Sequence, residues 1–262
     1  MSRAEDAPDS SATSQAPDTK VRFEDIMKQF GRLVALESID LTVRDGEILA
    51  LVGDNGAGKS TLMNILCGVH EQTSGTLYYD GEPVTFSNPS EAREMGIETV
   101  YQDLALMNEL DIATNVYMDQ FPSRLSVGPV ELIDWNETYS ETAEILDYLN
   151  LDLDPHSEVS FLSGGERQLV AIARAISFDP DVLILDEPTS ALSVAGTDLV
   201  HETMRTLRDE GHTQVVVSHS FESVLDLADR IAVLYQGEIA EVVRPSEVDK
   251  ATLTNLITTG HR

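Results

Sequence analysis

The chain has 262 residues, 42% of them hydrophobic and 24% charged, enough for one large globular domain with a substantial core. Forty-six acidic residues against 17 basic ones give a formal net charge of −29, which repels phosphate backbones and excludes nucleic acid as a partner for the general surface. The lone cysteine, Cys67, rules out an intrachain disulfide, and its apolar setting in LMNILCG predicts a buried, inert thiol.

Lysine occurs only at Lys20, Lys28, Lys59 and Lys250, while carboxylates run along the whole length. This is the pattern of a salt-adapted surface, as in a halophilic archaeon: in molar salt the Debye length is about 3 Å and the self-repulsion is screened. No apolar run approaches the roughly 20 residues of a membrane span, and MSRAEDAPDSSATSQAPDTK lacks the cationic and apolar regions of a secretory signal, so a cytoplasmic protein is expected.

In chain order, residues 1 to about 20 read as a disordered acidic tail rich in Ser, Ala, Asp and Pro. From Val21, the strand-like runs VRFEDIMKQF and SIDLTVRDGEILALVG lead into GDNGAGKST, residues 53 to 61, and a helix KSTLMNILCG that ends at Gly68. Asp80-Gly81 between two short alternating segments signals a hairpin, and GIETVYQD reads as a further strand. Residues from about 89 to 164 change character; WNETYSETAEILDYLNL spaces Tyr139, Ala143, Leu146 and Leu149 along one helical face, and the region reads as a helical insertion. LVAIARAI is helical until Asp179-Pro180 breaks it. DVLILDEP, TQVVVSH and RIAVLYQG are continuous apolar runs of strands covered on both faces, with helices at 195 to 210 and 221 to 229 between them. The whole is an α/β fold, a P-loop NTPase core with a mostly parallel sheet and an N-terminal antiparallel portion over residues 21 to 245; residues 246 to 262 form a short helical segment.

GDNGAGKST follows an apolar strand and opens a helix, the context that gives G-x-x-x-x-G-K-[ST] its meaning. Gly53, Gly56 and Gly58 permit backbone angles that turn the N–H groups of the loop, including Asp54, Asn55 and Ala57, toward a phosphate, and the helix N-terminus adds a favourable dipole. Lys59 reaches for the β- and γ-phosphates, and Ser60, followed by Thr61, offers a hydroxyl to Mg²⁺. In DVLILDEP, adjacent residues of a strand point to opposite faces, so Asp186 and Glu187 are expected to divide the work. Asp186 holds Mg²⁺ and Glu187 polarises the attacking water as general base.

The chain carries a second glycine cluster, LSGGERQ at residues 162 to 168. One nucleotide does not need two such nests. Together with GDNGAGKST, Gln102 at a strand end, VLILDEPTSAL and the histidine of VVVSHS, His219, it resembles the ATP-binding subunits of ABC transporters over roughly residues 21 to 240. The resemblance implies an ABC ATPase cassette with the helical subdomain inserted. It implies that Ser163, Gly164 and Gly165 donate to the γ-phosphate of an ATP held by a second copy, in a head-to-tail pair with two ATP molecules sandwiched. It further implies that His219 contacts the γ-phosphate, that Gln102 links Mg²⁺ or the lytic water to a transmembrane permease subunit, and that Phe30 stacks on adenine. Ser190, Ala191 and Leu192 correspond to the loop that crosses to the partner.

Two positions depart from the family pattern: Glu166 stands where Gln is usual, and Ser193 where an aspartate follows Ser-Ala-Leu. Glu166 brings a carboxylate toward the nucleotide side, and Ser193 removes a charge that ties subunits together. After Gln102, Leu104, Leu106, Met107 and Leu110 cannot all be core beside a loop and are read as a groove for the permease's cytoplasmic helix. The wording GDNGAGKSTLMNILCGV and YQDLALMNELDIATNVYM looks like monosaccharide uptake systems of the ribose, xylose and fructose type. The resemblance thus implies a peripheral subunit on the cytoplasmic face of the membrane, serving permeases and, through them, a substrate-binding protein. A soluble ABC ATPase switch on ribosomes or in DNA repair, and an importer of amino acids or lipids, stay open as alternatives.

Overall fold

The computed structural model describes residues 19–127, 130–190 and 192–262. The acidic tail therefore lies outside the described residues as far as position 18. The first strand, β1 (Thr19–Phe30), starts two residues ahead of Val21 and takes in Thr19 and Lys20. It pairs antiparallel with β2 (Leu33–Arg44) and with β4 (Ser74–Tyr79), which turns back on β5 (Glu82–Val84). The connecting Asp80-Gly81 has φ of 48° and 82°, the two positive angles that a two-residue hairpin of this twist requires.

The larger sheet holds β3 (Ile48–Gly53), β6 (Ile97–Val100), β9 (Val182–Asp186), β10 (Thr213–Val217), β11 (Arg230–Tyr235) and β12 (Glu238–Val243), in the order β12-β11-β3-β10-β9-β6. All neighbours are parallel except β12, which closes one edge antiparallel. Every residue of β3 and β10 is buried, including the polar Thr213 and Gln214, which is why neither strand alternates between apolar and polar residues.

One face of this sheet, through Leu49, Leu51, Val215 and Val217, packs with the antiparallel sheet and with Leu62 and Ile65 of α1 (Lys59–Leu66). The other face meets α5 (Gly164–Ile176) and α6 (Val194–Asp209) through Leu169, Ile172, Val200 and Met204. Ala50, Val52, Ile231 and Val233 pack under α7 (Phe221–Leu227) and α8 (Lys250–Thr259), which falls within residues 246 to 262.

The helical insertion needs correcting at its start. Following α2 (Pro89–Glu94), β6 belongs to the core sheet, so the inserted part begins after it. It contains α3 (Ile112–Val116) and α4 (Trp135–Tyr148), and also an antiparallel ribbon of β7 (Ser123–Val127) and β8 (Val130–Ile133). β6 is the strand expected in GIETVYQD; its place in the core sheet is set by pairing with β9, some 80 residues further along the chain.

Candidate active site

Four parallel strands end on one side of the large sheet and deliver the site residues there, where open α/β sheets place their crevices. β3 runs into the glycine loop and α1; β6 is followed by Gln102; β9 ends in Asp186; and β10 is followed by Ser218 and His219. The register aligns them, with Val217 opposite both Asp186 and Leu51, and Val100 opposite Leu185.

In the glycine loop, Gly56 and Gly58 have φ of 80° and 113°, as expected. A Cβ on Gly58 would also lie 2.7 Å from Leu36 Cδ2 and 2.8 Å from the Ala35 carbonyl oxygen. Gly53 departs from expectation: its φ is not positive, and what demands glycine is crowding, since a Cβ would come 2.3 Å from the Leu234 carbonyl oxygen. Lys59 is buried, with Nζ donating to the carbonyls of Gly53 at 2.8 Å and Asp54 at 3.1 Å. Burial pushes its pKa down, against the pull of Glu187, Asp54 and Asp186. The ammonium is thus held in the loop where an incoming anion would meet it.

The two carboxylates do not face opposite ways as strand alternation implied. Alternation stops at Asp186, because Glu187 has φ of 52°, in the left-handed region, and both side chains line the same cleft. Their surroundings nevertheless separate them. The backbone N–H of Glu187 donates to the Val217 carbonyl at 2.9 Å, tying it to β10. His219 Nε2 approaches Glu187 Oε1 to 3.2 Å without the alignment of a hydrogen bond, so this buried oxygen has no hydrogen-bond partner. Burial raises the Glu187 pKa, opposed by the charge of His219 and its backbone N–H, and burial raises that of Asp186, opposed by Lys59 and His219. His219 is itself half exposed toward the cleft.

These groups line an open cleft of about 950 Å³. Its walls are Asn55, Gly56, Gly58, Lys59, Ser60, Thr61, Gln102, Asp186, Glu187 and His219, with Phe30 at the mouth. Gly53, Asp54 and Ala57 shape the loop from behind; Ala57 is packed into the core. Sequence reasoning missed Leu33, Val34, Ala35 and Val217, which also line the cleft. An apolar pair just past the Gly31 turn, exposed beside Phe30, was the available signal for Leu33 and Val34. The loop after Gln102 is held by Arg174, whose guanidinium donates to the Leu104 carbonyl at 2.6 Å and the Ala105 carbonyl at 3.2 Å.

Ser60, Gln102 and Asp186 bring a hydroxyl, an amide and a carboxylate to one cleft, a set of hard oxygen donors suited to Mg²⁺ with the remaining positions left to water and phosphate oxygens. Among the described residues no cluster of three or more His, Cys, Asp or Glu could hold a metal by itself.

Ser163, Gly164 and Gly165 do not line this cleft. They start α5, where Ser163 Oγ accepts from the Glu166 N–H at 3.3 Å and Glu166 Oε2 accepts from the Ser163 N–H at 2.7 Å. The Glu166 carboxylate, expected near a nucleotide, is folded back on Ser163, whose hydroxyl first and backbone N–H second hold its pKa below the usual range. Ser193 caps α6 in the same way, accepting from the Gly196 N–H at 3.2 Å. Of the crossing loop, Ala191 lies outside the described residues, and Ser190 and Leu192 flank it. Of the expected groove, Leu104 and Leu106 pack against the core, whereas Met107 and Leu110 remain exposed, as does Tyr101.

The family model described as ABC transporter matches residues 36–190. A xylose/arabinose import ATP-binding protein of Sulfolobus acidocaldarius is 37% identical over 239 residues, 91% of this chain and 93% of that protein. A ribose import ATP-binding protein of Caldanaerobacter subterraneus is 38% identical over 230 residues, and a ribose/galactose/methyl galactoside import ATP-binding protein of Hahella chejuensis is 40% identical over 213. The chain spans less than half the length of these last two, 46% and 41% respectively. Among solved structures, the ADP conformation of an ATP-binding cassette of an ABC transporter matches with a TM-score of 0.76 at 25% identity, covering 92% of this chain and 95% of that one. A dimeric post-hydrolysis cassette bound to ADP and Pi matches at 0.70 and 26%, covering 86% and 98%.

Proposed function

This chain belongs to the ABC transporter family, and on that premise we propose that it is the ATP-hydrolysing subunit of a membrane importer for a monosaccharide. The observation that carries the reading is the convergence of Lys59, Ser60, Gln102, Asp186, Glu187 and His219 on one cleft. The N–H groups of the glycine loop and the Lys59 ammonium bind the β- and γ-phosphates of ATP, while Phe30 receives the base. Ser60, Asp186 and Gln102 would hold Mg²⁺, which when bound neutralises charge on the β- and γ-phosphate oxygens.

The Glu187 carboxylate accepts a proton from a water placed at the γ-phosphorus. A bond forms from that water oxygen to phosphorus, and the bond to the β-phosphate oxygen breaks, releasing ADP and inorganic phosphate. The partnerless Oε1 is the natural acceptor, and a raised pKa improves a carboxylate as a base near neutrality. His219, beside Glu187, donates to the γ-phosphate. Since Ser163 to Gly165 stand off the cleft, the hydroxyl of Ser163 and the first N–H groups of α5 serve the ATP of a second copy, and two chains close head to tail on two nucleotides.

Glu187→Gln is expected to lower turnover at least about 10²-fold while keeping ATP affinity, and Lys59→Ala to lose nucleotide. Steady-state hydrolysis persisting in Glu187→Gln would overturn the base assignment. Among the described residues no helix is long and apolar enough to cross a membrane. On this reading the solute crosses through permease subunits. The exposed Met107, Leu110 and Tyr101 are the docking surface, on the cytoplasmic face. A monosaccharide is favoured as cargo by the sugar importers among the relatives, foremost the archaeal one of matching length, and a substrate-binding protein joins through the permease. Tagged Glu187→Gln drawn from detergent-treated native membranes in high salt with ATP and Mg²⁺ should bring a polytopic permease with it. Recovery of ribosomal or repair proteins in its place would favour the soluble switch.

A further inference from the structure

The ring of Phe30 is backed by two side chains that do not line the cleft. His70 packs edge-on against it, with centroids 5.2 Å apart and planes at 71°, and Lys28 Nζ lies 4.9 Å from the ring centroid on its face. Both are fastened in place. Lys28 Nζ donates to the Glu71 carbonyl at 2.6 Å, the Gln29 N–H to Thr73 Oγ1 at 3.0 Å, and the Thr73 N–H to the Met27 carbonyl at 2.8 Å, so the tip of β1 is tied to the segment after α1. The His70 N–H donates to the Asn64 carbonyl at 2.9 Å, fixing that residue to the last turn of α1. The helix whose first turn holds Lys59 and Ser60 therefore positions, just past its other end, the side chain that buttresses the ring at the mouth of the cleft.

We propose that His70 is a positioning residue for the nucleotide base: it braces Phe30 from outside the cleft so that the ring presents a fixed face to adenine. The proposal rests on the reading of the cleft as an ATP site. An aromatic contact of this kind corresponds to roughly a two- to tenfold change in affinity. It acts on the base alone, because the link from His70 to the phosphate-binding groups runs through the backbone of α1.

The test uses the full chain in high salt and compares ATP with inorganic tripolyphosphate, which carries the phosphates without the base. His70→Ala should raise the KM for ATP about two- to tenfold with kcat unchanged, and should leave inhibition by tripolyphosphate unchanged. His70→Phe, which keeps an aromatic edge against Phe30, should restore the KM. Equal weakening of ATP and tripolyphosphate would place the effect in the glycine loop and overturn the proposal, as would an unchanged KM. Wild-type protein that binds ATP no more tightly than tripolyphosphate would instead overturn the reading of Phe30 as the base platform. Thermal unfolding of both variants at the wild-type temperature shows that the comparison is made on folded protein.

Discussion

Glu187 concentrates the chemistry and the strain of the site in one residue. Its φ of 52° is uncommon for a residue other than glycine, and it is secured by the hydrogen bond to Val217 on the neighbouring strand. Burial favours the neutral acid and raises its pKa, so the base is competent above that raised value and is lost as the pH falls through it. The acid limb of the pH–kcat profile should accordingly sit above the ordinary glutamate range, and a limb at or below that range would contradict the account. The same desolvation means that the ionised carboxylate weighs against the folded state near neutrality. Glu187→Gln should therefore unfold at a higher temperature than wild type in the absence of nucleotide, while losing turnover. The identities of Lys59, Ser60, Gln102, Asp186, Glu187 and His219 were legible because each stands at a fixed place beside a strand or a glycine loop. The shared orientation of Asp186 and Glu187 was not, because a left-handed angle at a glutamate is imposed by a strand some 30 residues further along the chain.

Among the elements, the junction of the two sheets depends on a lysine that composition alone would assign to a solvated tail. Lys20 Nζ reaches Asp80 at 2.9 Å, beside the β4–β5 turn, and Asp181 at 3.0 Å, at the foot of β9. Burial works against its charge, but the hydrogen bonds to the two aspartates prevail and hold its pKa above the ordinary lysine range. Both aspartates are more than half exposed, so screening limits the gain, and Lys20→Met should cost about 1 kcal/mol, read as a lower midpoint in denaturant. An unchanged midpoint would show the clamp to be ornamental. The long parallel strands and the helices α1, α5 and α6 could be read from the chain, since burial on both faces or a glycine and serine start leaves a plain trace. The ribbon of β7 and β8 and the core membership of β6 could not, because short segments take their structure from what they pack against.

Across the whole molecule, a net charge of −29 repels itself, and the ion pairs present cannot offset it, since only 17 residues are basic. Added salt screens that repulsion, so the melting temperature should climb as KCl is raised from about 0.1 M to about 2 M, where the Debye length shrinks from roughly 10 Å to under 3 Å. A flat or falling curve would contradict a salt-adapted surface. The same repulsion opposes the approach of two copies, and two bound nucleotides must overcome it. The most direct measurement is therefore sedimentation of Glu187→Gln in molar salt with and without ATP and Mg²⁺. The account predicts a monomer without nucleotide and a dimer with it, lost again when Ser163→Ala is added. A species that binds ATP to saturation yet sediments as a monomer would contradict the sandwich, and with it the role assigned to the second glycine cluster.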